Sequence, residues 1–305
     1  MNDRRKGVLF GISAYLMWGF FPLYWPLLKP AGAVEILSHR VTWSLLVMVL
    51  LMLRTRSLRW LREIGQRRLA LLALASALIS VNWGVYIWAV NHQHVVETSL
   101  GYFMTPLVSV MLGVLFMGER LRRIQWIAIG VAAAAVIVLT VDYGRLPWIA
   151  LGVSSTFGLY GFVKKKAGVG ALESLTVETG LLVLPALGYL VFLQSEGSAV
   201  FGHVSRNKDM LLVASGLLTA VPLLCFGASA NRVPLATIGL LQYIAPILQF
   251  LCGTLFFHEE MPASRWAGFF LVWIALAVFT LDSVLQRRRA SRRAPTSMPP
   301  ASSTA

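Results

Sequence analysis

Long apolar stretches, broken at short intervals by clusters of arginine, lysine, glycine and proline, run from the start of the chain almost to its end. Taking about 20 such residues per crossing of a hydrocarbon layer, the pattern predicts ten transmembrane helices. They fall at 7–28, 33–53, 69–91, 95–117, 124–141, 146–163, 172–194, 209–231, 235–257 and 263–283. Only helices and closed barrels satisfy their backbone groups in lipid, and continuous apolar runs exclude the alternation of a barrel strand. The first run follows Arg4, Arg5 and Lys6 in the manner of a secretion signal. It reaches to Leu28, beyond the about 7–15 apolar residues of a signal core, and further spans follow, so it reads as the first transmembrane helix.

The second half repeats the first at a shift of 140 positions. Asn91 falls on Asn231, Leu100 on Leu240, Pro106 on Pro246, Gly113 on Gly253, Glu119 on Glu259, Trp126 on Trp266 and Asp142 on Asp282. Paired Asn, Pro, Gly and Glu at one register are not the product of shared apolar composition. Each copy holds five helices, an odd number, so the second enters the bilayer from the opposite side. Such inverted repeats are a construction of secondary transporters, with the substrate site near the midplane between the halves. The predicted organisation is an all-α integral membrane protein with a five-helix repeat over 1–142, a second over 143–283, and a disordered, basic cytoplasmic tail over 284–305.

Composition agrees with the pattern. Of 305 residues, 57% are hydrophobic and 13% charged, with mean hydropathy +0.70, where soluble domains run near 25% charged. The net charge of +14 points to topology and not to nucleic acid, because the basic residues cluster between apolar runs. With a cytoplasmic N-terminus, 21 Lys and Arg fall inside and 5 outside, as the positive-inside rule requires. Both termini are then cytoplasmic. Cys225 and Cys252 lie within apolar runs, which argues against a disulfide framework or zinc site. His92 and His94 lack the company a metal site needs, and no Gly-x-x-x-x-Gly-Lys-Ser/Thr phosphate loop is present. No cofactor and no metal is expected.

Several motifs carry a family resemblance: Ser13-Ala-Tyr-Leu-Met-Trp-Gly-Phe-Phe-Pro-Leu-Tyr24, Glu35-Ile-Leu-Ser-His-Arg40, the stretch from Asn82 to Asn91, Gly101-Tyr-Phe-Met-Thr-Pro-Leu107 and Leu241-Gln-Tyr-Ile-Ala-Pro246. Through them the chain resembles RarD-type proteins of the EamA, or drug/metabolite transporter, superfamily. The resemblance covers everything but the tail and implies a ten-helix carrier of two EamA-like repeats in the bacterial inner membrane. The second copy departs from the first where Glu35 and Arg40 become Glu173 and Glu178.

Arg40 is the sharpest candidate for function. A charge at helix centre costs about 2.5–3.5 kcal/mol on insertion scales, so such groups default to functional hypotheses. Two readings stand. Arg40 faces a central cavity and binds an anionic or carboxylate-bearing substrate, with His39, Glu35 or Glu178 exchanging protons. Alternatively it snorkels to the outer surface or pairs structurally with a carboxylate such as Glu178. Pro106 and Pro246 leave the carbonyls of Tyr102 and Gln242 unpaired and are hinge candidates. Tyr102, Pro106, Ser109 and Gly113 share one helix face, as do Gln242, Pro246, Gln249 and Gly253, and both stripes are predicted to line the pathway. Trp18, Asn82, Trp83, Tyr86, Tyr160 and Tyr243 complete the substrate-binding candidates. Tyr24, Trp25 and Trp148 read as interfacial belt residues, and Glu119 and Glu259 as members of terminal polar networks.

The function predicted is secondary active transport, as an exporter, of small metabolites or drug-like molecules by alternating access, coupled to protons. The partners are a small-molecule substrate, the lipid bilayer and protons as coupling ion, with no nucleic acid. The alternatives are an uncoupled facilitator and a membrane-embedded enzyme.

Overall fold

The computed structural model describes residues 3–55, 64–118 and 121–293. Glu119, Arg120, Arg56, Arg59, Arg62 and residues 294–305 lie outside the described residues. All regular structure among the described residues is helical. The elements are α1 (Asp3–Tyr24, continued by a 3-10 turn, Trp25–Leu28), α2 (Ala33–Thr55), α3 (Gln66–Asn91), α4 (Val95–Met117), α5 (Arg123–Tyr143), α6 (Trp148–Ala167), α7 (Ala171–Ser195), α8 (Arg206–Ala230), α9 (Leu235–Leu241), α10 (Ile244–Leu251, continued by a π-helical turn, Cys252–Phe256) and α11 (Ala263–Arg293).

Nine segments among the described residues are long and apolar enough to cross a membrane, with α9, α10 and the π turn contributing one of them. The tenth expected crossing, α6, falls short because Gly, Ser, Thr and the run Lys164–Lys166 dilute its apolar residues. Leu184 is 76% exposed and Val141 78%, a surface suited to lipid and not to water. This is the architecture of an all-α, multi-pass membrane protein.

The packing runs between the halves of the chain. Helix α1 packs on α8 and α10, α2 on α7 and α8, α3 and α4 on α6, and α5 on α11. Two of these seams depend on glycine. A Cβ on Gly101 would stand 2.7 Å from the Ala150 carbonyl oxygen of α6, and one on Gly216 would strike the backbone of α2 at Trp43. Neither obstacle is a flexible side chain that could yield, so the helices must separate. Gly101→Ala and Gly216→Ala are each expected to lower stability by about 1–3 kcal/mol, the cost of overpacking a tight interface, read as a fall in thermal unfolding temperature in detergent.

The two prolines behave differently. Helix α4 runs unbroken through Pro106, whereas the helical segment bearing Pro246 breaks at Gln242 and Tyr243 and widens into the π turn at Cys252. π turns of this kind are frequent at functional sites. The segment expected to form a disordered tail begins otherwise: α11 continues to Arg293, so residues 284–293 are helical.

Candidate functional site

Arg40 is buried, at 3% exposure. Its guanidinium lies 3.9 Å from the ring centre of Trp83, 5.3 Å from Trp25 and 5.7 Å from Phe21. Its Nε donates to Thr219 Oγ1 of α8 at 2.7 Å. No carboxylate among the described residues pairs with it. Stacking on a desolvated aromatic face is worth about 2 kcal/mol and offsets only part of what an unpaired buried charge costs. The two structural alternatives for Arg40 therefore fail in this conformation. It does not reach the surface, and Glu178 is engaged elsewhere. Nearby, Trp25 Nε1 and the Tyr86 hydroxyl are buried donors without an acceptor among the described residues, and Tyr86 and Tyr102 lie within electrostatic reach of the Arg40 charge.

Polar and aromatic groups continue from this point. The rings of Tyr86 and Tyr102 meet edge to face at 5.6 Å. The Tyr102 hydroxyl donates to Asn82 Oδ1 at 3.2 Å, while Asn82 Nδ2 donates to the Val153 carbonyl and to Thr156 of α6. Tyr102 also meets Phe157, and Phe157 meets Tyr160. The Tyr160 hydroxyl donates to Glu178 Oε2 at 3.0 Å, Ser174 donates to the other carboxylate oxygen, and Lys164 Nζ stands 3.3 Å from it. Glu178 is 1% exposed, so α6 and α7 hold a satisfied carboxylate at one end of this line, with the unpaired guanidinium at the other. Trp18 joins from α1, where its carbonyl accepts from Gln249 Nε2 at 3.2 Å and Gln249 Oε1 is left buried without a donor.

Other expected site residues stand apart. Glu35 accepts the Val200 backbone N–H at 2.7 Å, fixing the loop before α8 to α2. His39 Nδ1 accepts from Trp43, and its ring lies tilted against Phe201, 4.9 Å between centres. Neither touches Arg40 through any described hydrogen bond or ion pair. Tyr243 turns to α11, its hydroxyl 3.5 Å from Thr280, and no side-chain hydrogen bond is described for Gln242. Trp25 is not a belt residue. It is fully buried as a wall of the Arg40 cage, because the 3-10 turn after α1 swings it inward, whereas Trp148 stays 45% exposed. Thr219, Phe21 and Lys164 were not among the site residues the sequence pointed to. Thr219 carries no local signal, since its partner is 179 positions away.

A second polar cluster occupies the face bearing the turn between α3 and α4, the outer face in the charge-based orientation. Arg145 binds Glu97 through both nitrogens, at 2.8 and 3.3 Å, and Glu97 also accepts the Ile149 N–H. Arg265 pairs with Asp142 at 2.9 Å. Glu259 accepts the N–H groups of Val95 and Val96 at the start of α4, at 2.5 and 3.0 Å. Glu97, Arg145, Glu259 and Arg265 line a cavity of about 440 Å³ that also touches His94 and His258.

Comparison with known proteins agrees with this architecture. The EamA-like transporter family matches residues 5–141. Protein RarD of Streptomyces exfoliatus is 54% identical over 294 residues, covering 96% of this chain and 93% of that protein. Protein RarD of Escherichia coli is 42% identical, covering 95% and 99%. The uncharacterized transporter YojE of Bacillus subtilis is 44% identical, covering 94% and 97%. A solved crystal structure matches with a TM-score of 0.57 at 18% identity, over 90% of this chain and 97% of that one, a likeness of fold. With relatives this similar along nearly its whole length, the chain belongs to the RarD-type branch of the EamA-like transporter family.

Proposed function

We propose that this membrane transporter is a secondary active exporter of small metabolites or drug-like molecules. In this reading it works by alternating access around a site between two inverted five-helix repeats. It sits in the bacterial inner membrane with ten crossings and both termini cytoplasmic. The observation that carries the reading is Arg40, a buried cation without a carboxylate partner, walled by Trp83, Trp25 and Phe21. A protein keeps so costly a group where a ligand completes it. The unpartnered donors on Trp25 and Tyr86 favour an oxyanion, and the aromatic walls favour a flat or apolar body attached to it.

The packing pattern supports the repeat. Exchanging each helix for its partner in the other copy turns α1 on α8 and α10 into α6 on α3 and α4, which is also observed, and returns α2 on α7 and α5 on α11 to themselves. That is the behaviour of a two-fold relation between the halves. Among the groups expected to exchange protons, Glu178 keeps a ready route through Tyr160 and Lys164, while Glu35 and His39 serve the loop before α8.

Untargeted comparison of culture media from deletion and overexpression strains is expected to reveal a small set of anionic solutes enriched outside the overexpressing cells. Purified protein in liposomes should then move those solutes faster under an imposed pH gradient. Flux that ignores the gradient would replace the coupled carrier with a facilitator, and a chemically altered solute would replace it with an enzyme.

A further inference from the structure

The cluster on the outer face contains one carboxylate unlike the others. Glu97 and Asp142 each have an arginine, whereas Glu259 is held by two backbone N–H groups and no cation within ion-pair distance among the described residues. Those N–H groups open α4, which belongs to the first half of the chain, while Glu259 follows the π turn of the second. Its side chain therefore ties the two halves together at the mouth of the cavity. We propose that Glu259 is a proton-binding site of the outer mouth, taking up a proton from the outer solution as the mouth closes over it and returning the proton as the mouth opens.

The chemistry follows from what faces it. In this structure, with Val96 buried behind it, Glu259 is half-buried, and Glu97 adds a second negative charge from α4, while Arg265 of α11 and the N–H groups of Val95 and Val96 pull the other way. Arg265 is largely spent on Asp142 and Arg145 on Glu97. Burial is the largest effect and pushes the Glu259 carboxyl up to about 7. An open, solvated mouth returns it to the usual glutamate range near 4.3. The closed mouth thus binds the proton more tightly, so protonation favours closure and a rise in outer pH through about 7 favours opening. Burial lowers the His94 imidazole from its ordinary value, the opposite direction to the Glu259 carboxyl. Tyr143, His258 and Glu260 line the same cavity.

The inference rests on the alternating-access reading, but its test needs no substrate. Val96 is 1% exposed, behind the Glu259 contact, and a Val96→Cys protein labelled with a membrane-impermeant thiol reagent reports opening of the mouth. The readout is its labelling rate divided by that of the same protein carrying Glu259→Gln. The ratio cancels the intrinsic pH response of the thiol. It is expected to rise roughly tenfold between pH 6 and 8, as a proton-linked equilibrium with a midpoint near 7 requires. A flat ratio overturns the proposal. Should Glu259→Gln fail to assemble, Glu97→Gln carries the test, because losing the neighbouring charge must move the labelling midpoint to lower pH, and an unmoved midpoint is equally fatal. A rising ratio in a protein that moves no solute would keep the proton site and retire transport. A flat ratio with solute flux would do the reverse.

Discussion

Arg40→Met is expected to abolish solute transport while leaving the protein assembled and at least as stable as before. The side chain pays for its burial with one hydrogen bond to Thr219 and stacking on Trp83. Arg40 has no ion-pair partner among the described residues, so its removal strands no charge, and replacing buried ion pairs by apolar residues of similar volume is often neutral or stabilising by about 1–4 kcal/mol. A bound oxyanion loses the Arg40 charge in the substitution. Removing one member of a buried charge pair costs about 2–5 kcal/mol, which is roughly thirtyfold to several thousandfold in affinity. The solutes that separate overexpressing from empty cells should therefore vanish from the medium, while the thermal unfolding temperature in detergent holds or rises. Arg40→Lys should recover part of the flux, since an ammonium supplies charge without the planar fork of donors. Normal export by Arg40→Met would remove Arg40 from the site. A protein that fails to assemble would make the residue structural.

Glu178→Ala has the opposite signature. It strands the Lys164 ammonium and the hydroxyls of Tyr160 and Ser174, and should destabilise the protein by about 3 kcal/mol, the lower end for a broken buried pair. The lower end applies because Lys164 is 23% exposed and can still reach water. Adding Lys164→Met to Glu178→Ala should restore most of the loss, since the uncompensated charge is then gone. A double mutant no more stable than Glu178→Ala alone would show that the lysine is not what the carboxylate holds. The pair of experiments separates two kinds of buried ion, one whose removal relaxes the fold and one whose removal breaks it.

The helices were legible because lipid demands about 20 apolar residues in a row, and little else satisfies that demand. Arg40 was legible for the same reason, as an exception to the rule. What surrounds it was not. Trp25 sits at the end of an apolar run, where composition alone reads it as an interfacial anchor, and only the 3-10 turn that closes α1 turns it inward. Lys164 reads as one of three basic residues setting topology, yet its long side chain reaches back to Glu178. Pro106 and Pro246 occupy the same register, and the loss of one N–H is identical in both. Whether a helix breaks there depends on the neighbours that can absorb the distortion, which periodicity does not record. Glu35 and Arg40 are close in sequence and were read together, but Glu35 serves the Val200 amide of a loop 165 positions away.

Helix α6 is too rich in glycine, serine, threonine and lysine to prefer lipid on its own account, and it packs on α3 and α4, both made earlier. Alone, α6 is therefore expected to enter a bilayer poorly and to depend on α3 and α4 for its place. Asn82 of α3, reaching the Val153 carbonyl and Thr156, offers a polar greeting that lipid cannot.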